Sequence, residues 1–196
     1  MKPIRLLLAL TLAILSASAV SGMRVRTAET IEHRIIATMR TSTMKKELND
    51  AAAAGFRFQA VMGGETAMGG KEVVAVASRP TGGGGSRYSY KLLAANKTGT
   101  MQKEVQAASE LGYEYRGQTV FESAFGGKEV VVILERDKES RTSGGYMYKL
   151  LATTKTSTME KELKAMGEQG YEVVGMTIGQ TAMGGKELVT ITRKKQ

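Results

Sequence analysis

Apolar and polar positions alternate in three short stretches, Ile31-Glu-His-Arg-Ile-Ile-Ala37, Tyr88-Ser-Tyr-Lys-Leu-Leu-Ala94 and Tyr146-Met-Tyr-Lys-Leu-Leu-Ala152. A two-residue period places Tyr88, Tyr90 and Leu92 on one face of a strand and Lys91 on the other. Each stretch is followed by a helical period. Met44, Leu48, Ala51 and Ala52 form a stripe at i, i+4, i+7 and i+8, and Met159, Leu163 and Met166 repeat it. Thr43, Thr100 and Thr158 are placed to be N-caps, because a threonine oxygen can accept from the free amides of a first turn. Glu47, Glu104 and Glu162 put negative charge near the positive helix ends. Gly55, Gly112 and Gly170 stand where a left-handed residue closes a helix.

Alternation then returns. Phe56/Phe58, Tyr113/Tyr115 and Tyr171/Val173 interleave with Arg57, Glu114 and Glu172, which predicts a strand with one buried and one wet face. Adjacent glycines next turn the chain in a tight hairpin, since they accept positive φ without strain. The last run of each set, Val73–Ala77, Val130–Leu134 and Leu188–Thr192, is almost continuously apolar, as in a strand covered on both sides and central in its sheet. The right-handed crossover rule makes the first two strands of a set parallel, with the third antiparallel between them.

These elements repeat in one order three times. The hairpin sequence Thr181-Ala-Met-Gly-Gly-Lys-Glu187 recurs unchanged at Thr66–Glu72 and with two substitutions at Ser123–Glu129, and the units are 57 and then 58 residues apart. Recurrence at such a period marks tandem architecture. The chain therefore reads as α+β, three β-α-β-β units over 31–79, 88–136 and 146–193, each a small mainly antiparallel sheet with one helix. A Gly-rich linker spans 80–87 and a polar linker 137–145. Units of about 50 residues have marginal cores alone, so they are expected to pack on one another or form homo-oligomers.

Residues 1–19 read differently. Lys2 and Arg5 precede the apolar run Leu6–Leu15 and the small residues Ala17-Ser-Ala19, the three-part pattern of a secretory signal peptide. That run is too short to span a bilayer, which takes ~20 residues. A periplasmic or extracellular location is expected, with the mature chain starting near Val20. Its formal net charge falls from +9 to +7 once Lys2 and Arg5 are removed. Such an excess favours weak attraction to anionic surfaces. With no cysteine, disulfides, zinc thiolates and a thiol nucleophile are excluded.

Tyr148-Lys-Leu-Leu, the capped helix, Gly170-Tyr-Glu-Val-Val174 and Gly184-Gly-Lys-Glu-Leu-Val…Arg193 resemble the bacterial family called domain of unknown function 4177, in three copies covering nearly the whole mature chain. That family usually has tryptophan after the helix-closing glycine, where this chain has Phe56, Tyr113 and Tyr171. The resemblance implies the fold and brings no active site with it.

Catalytic motifs do not emerge. His33, the single histidine, takes the strand position of Tyr90 and Tyr148 and reads as a replacement for an aromatic residue. A Ser-His-Asp site would need it beside Asp50 or Asp137, and no spacing suggests that. Calcium loops and histidine zinc motifs are absent, and no cofactor is expected. Met-Gly-Gly-Lys departs from the phosphate loop in spacing and precedes a strand where the phosphate loop opens a helix. Basic charge with strand tyrosines suits nucleic-acid stacking, but the tyrosines occupy positions a core claims and the lysines lie among glutamates. The expected role is therefore a non-catalytic interaction or structural module. The candidate binding residues are Met68, Lys71, Phe125, Lys128, Met183 and Lys186 on the hairpin turns, and the partners a protein or anionic polymer of the cell envelope. Two alternatives are an electrostatic binder of envelope polymers or lipid headgroups, and a glutamate-based enzyme or enzyme regulator.

Overall fold

The computed structural model describes residues 30–65, 71–95, 97–122, 128–140, 145–180 and 185–196. The leader over 1–19, the lead-in to Glu29, and Met68, Phe125 and Met183 with most of the paired glycines lie outside them. Unit one comprises β1 (Ile31–Thr38), α1 (Thr41–Ala53), β2 (Arg57–Glu65) and β3 (Lys71–Pro80). Unit two repeats the order as β4 (Tyr88–Ala95), α2 (Thr98–Glu110), β5 (Glu114–Glu122) and β6 (Lys128–Asp137). Unit three follows with β7 (Tyr146–Thr153), α3 (Thr156–Glu168), β8 (Glu172–Gln180) and β9 (Lys186–Lys195). The sheets are ordered β1-β3-β2, β4-β6-β5 and β7-β9-β8, every neighbouring pair antiparallel. The apolar third strand is thus central in each, as its composition demands.

Helix ends divide the sequence expectations. Gly55, Gly112 and Gly170 have φ of 84°, 82° and 81°. Around Gly55 the Phe56 amide donates to the Ala51 carbonyl and the Gly55 amide to the Ala52 carbonyl, the paired bonds of a Schellman stop. The same pair closes α2 and α3. The threonine caps are a correction. Helices begin two residues before Thr43, Thr100 and Thr158, after extended residues Arg40, Lys97 and Lys155, without a side-chain cap. Thr38 and Thr153 act one step earlier, their hydroxyls accepting the amides of Arg40 and Lys155. Strand-end hydroxyls thus tie down the extended residue that leads into the helix.

The cores are shared between units. Met44, Leu48, Ala51 and Ala52 of α1 pack with Val73, Ala75 and Ala77 of their own sheet, and also with Tyr90, Leu92, Val131 and Ile133 of unit two. A second core joins Met101, Val105 and Ala108 of α2 with Val132 and Leu134 of β6, and with Tyr148 and Ile191 of unit three. Strand β6 therefore sends Val131 and Ile133 one way and Val132 and Leu134 the other. Sheets and helices alternate in layers, each inner helix pressed between its own sheet and the next. The face of Tyr88, Tyr90 and Leu92 is a core face, and the helix covering it belongs to the preceding unit.

Among the described residues no second sheet covers the third helix. Only Met159 of α3 is buried, and Leu163 and Met166 are half-buried. Beneath α3 the central strand carries fully buried Thr190 and Thr192, where unit two has Val132 and Leu134. The Thr192 hydroxyl donates to the Lys149 carbonyl, whereas Thr190 Oγ1 has no hydrogen-bond partner among the described residues. Among the described residues no helix is long and apolar enough to cross a membrane.

Candidate functional site

Lys71, Lys128 and Lys186 open the central strands, opposite Glu65, Glu122 and Gln180 in register. Lys186 is exposed. Their proposed companions Met68, Phe125 and Met183 lie outside the described residues, so the hairpin site is placed only by its strand ends. His33 is exposed on β1, while Asp137 is paired with Arg87 at 2.6 Å and Asp50 with Lys46 at 2.7 Å. Among the described residues no group of three His, Asp or Glu side chains is placed to hold a metal.

The densest polar arrangement is elsewhere, at the junction of units one and two. Glu135 ends the apolar run of β6 and is only 3% exposed. Its Oε1 accepts from Arg57 Nη2 at 2.9 Å and Arg116 Nε at 2.9 Å, and its Oε2 accepts the Tyr90 hydroxyl at 2.8 Å. The Tyr90 oxygen in turn accepts the Phe58 amide at 2.7 Å. Phe58 sits on a bulge of β2, and this bond carries the bulge amide of one unit to the first strand of the next. Beside the cluster lies a cavity of about 120 Å³, lined also by Glu114 and Asp137.

The second junction follows the same plan with different residues. The Tyr148 hydroxyl accepts the bulge amide of Tyr115 at 2.9 Å. At both junctions the preceding helix hydrogen-bonds the outer edge of the next sheet. Asn49 pairs with the amide and carbonyl of Tyr90 at 2.9 and 3.0 Å. Gln106 accepts the Tyr148 amide at 3.0 Å, and Gln102 bonds the Tyr148 carbonyl and the Leu150 amide, each at 2.7 Å. Strand edges that would otherwise invite foreign strands are thereby used internally.

Close approach at the bulges requires glycine. A Cβ on Gly117 would stand 3.2 Å from Phe58, and one on Gly175 would overlap the Tyr115 hydroxyl. The equivalent position in unit one is Ala60.

Chemically this arrangement is a clamp. Both Glu135 oxygens are occupied by charge-assisted donors. Burial, ahead of every other influence, pushes the Tyr90, Tyr115 and Tyr148 hydroxyls above the ordinary phenol value of about 10. A phenol with a raised folded-state value keeps its proton where the unfolded chain has lost it. Its contribution to stability is whole below pH ~10 and is lost as the pH climbs from there toward the folded value. Part of the tyrosinate absorbance at alkaline pH is therefore expected to appear in step with loss of the far-ultraviolet circular dichroism. A tyrosine titration complete before that signal changes would show these hydroxyls open to water.

Sequence reasoning missed this cluster. It put Arg57 on a wet face, where unit two in fact half-covers it. The available signal was a carboxylate closing the most apolar strand, together with glycine in units two and three where unit one has Ala60. No family model, curated protein or solved structure matches this chain.

Proposed function

We propose that this protein is a non-catalytic interaction or structural module acting outside the cytoplasm, a stack of three related units that presents repeated surfaces to an envelope partner. The observation that carries the reading is the clamp around Glu135. Arg57 and Arg116, which line the cavity, and Tyr90 are all spent on Glu135, and the Arg57 bond ties unit one to unit two. Glutamate-based acid–base chemistry needs a carboxylate with an open face, and Glu135 has given its face to the junction. Kinship with the domain of unknown function 4177 family is proposed alongside, on the motifs quoted above. Export is proposed on the leader pattern.

The test is capture from the source's own envelope and growth medium on immobilised processed protein, at low and near-physiological salt. A discrete partner retained at both salts is expected, and a variant with Lys71, Lys128 and Lys186 changed to alanine should lose it if the hairpins form the site. Retention only at low salt, spread over anionic material, would replace the reading with electrostatic binding. Turnover abolished by replacing one repeated glutamate would replace it with an enzyme.

A further inference from the structure

We infer that the two ends of the stack dock on each other, so that the chain associates head to tail with further copies of itself. This rests on the reading of the protein as a non-catalytic module and names one partner for it, a second copy.

Six of the eight large hydrophobic side chains exposed among the described residues lie where a further unit would stack. Three are Val173, Met176 and Ile178 on β8. They match Phe58, Val61 and Gly63 of unit one, which face unit two. Three more are at the opposite end: Ile31 and Ile35 on β1 and Met62 on β2. Their equivalents Tyr88, Leu92 and Thr119 in unit two are half-buried or buried beneath unit one. Two internal junctions already build this contact, so an external one continues an interface the chain makes twice.

The ends are also matched in size and polarity. Internal junctions pair an aromatic ring with glycine, Phe58 with Gly117 and Tyr115 with Gly175. The free ends offer Val173 and Ala60, a smaller side chain to meet a larger one, which keeps the combined volume close. Lys164 and Glu160 stand where α2 has Gln106 and Gln102. A lysine supplies a donor for the His33 carbonyl, as Asn49 does for Tyr90, and a glutamate an acceptor for the Ile35 amide, as Gln102 does for Leu150. The His33 amide, whose counterparts donate to Asn49 and Gln106, is left to water. Glu172 takes the place of Arg57 and meets Ser78, the counterpart of Glu135, so no like charges are opposed. Because the two surfaces differ, the association is heterologous, and it closes as a ring or extends as a filament.

Sedimentation of the processed full chain over a wide concentration range tests this. Self-association is expected, and Ile35→Asp or Met176→Asp alone should weaken it at least about tenfold. Both positions are exposed, so each variant should keep the parent circular dichroism. An equimolar mixture of the two variants should form a one-to-one dimer and nothing larger, since each supplies the end the other lacks. A parent protein monomeric throughout overturns the inference, as does a mixture that stays monomeric. One variant self-associating like the parent would mean a symmetric contact and also overturns it. None of these failures touches the non-catalytic reading, which stands or falls on the capture experiment.

Discussion

Replacing Leu48 with alanine is expected to cost about 2–5 kcal/mol of unfolding free energy, while the same change at Leu163 costs about 1 kcal/mol. The two leucines hold one repeat position on α1 and α3, so chemistry and helix context are alike. They differ in what lies above them. Leu48 is fully buried between its own sheet and the sheet of unit two, whereas Leu163 is half-buried against its own sheet alone. The difference between the costs is then the contribution of the following unit. Urea unfolding of both variants at low protein concentration measures it, and equal costs would mean that the junction adds nothing to the core. If copies stack, the Leu163 cost should grow with protein concentration, because the second copy supplies the missing cover.

The next largest effect is expected at Glu135. Changing it to alanine strands two guanidinium groups and leaves the Tyr90 hydroxyl without its acceptor. Breaking a buried pair from one side costs about 3–5 kcal/mol. Arg57 and Arg116 side chains are 39% and 36% exposed, so water relieves part of that, and about 2–3 kcal/mol is the expected loss. Glu135→Gln should lose less, since an amide oxygen still accepts from Tyr90. Replacing Arg57, Arg116 and Glu135 together by apolar residues of similar volume should cost less than the single alanine change, about 1 kcal/mol, because no charge is left stranded and only the Tyr90 hydroxyl still lacks its acceptor. Chemical denaturation of the three variants gives the ranking. An alanine variant as stable as the parent would show the clamp to be ornamental to folding.

The architecture was legible in the sequence to an unusual depth, because each periodicity could be read three times. The Gly55, Gly112 and Gly170 stops, the Met44–Ala52 stripe and the central third strands are all local or nearly local properties, and they stand as expected. Ownership of a face was not legible. Tyr90 and Tyr148 alternate as core residues do, but alternation cannot say which helix will cover them when three similar helices are available. The threonine caps failed for a related reason. A threonine two residues inside a helix and one at its boundary look alike without the backbone, and extended Arg40, Lys97 and Lys155 moved each boundary earlier. The Glu135 clamp depends on contacts 78 and 45 residues apart in sequence, to Arg57 and Tyr90, which no single-window pattern carries.

Similar units in one chain risk wrong partnerships while the protein folds, since a sheet can find the helix of a unit that is not its neighbour. The charges at the junctions discriminate against this. Sheet two brings Glu135 to Arg57 of unit one, whereas sheet three carries Arg193 at the Glu135 position and unit two carries Glu114 at the Arg57 position. Arg193 pairs with Glu172 of its own unit at 2.7 Å, and both it and Glu114 act on the Tyr148 hydroxyl. The polarity of the second junction is the reverse of the first. A chain that skipped unit two and laid sheet three on unit one would bring Arg193 against Arg57, two cations at a half-buried site. The repeats thus carry an address written in charge, and the order in which they stack is the one that sets Glu135 against Arg57 and keeps Arg193 away from it.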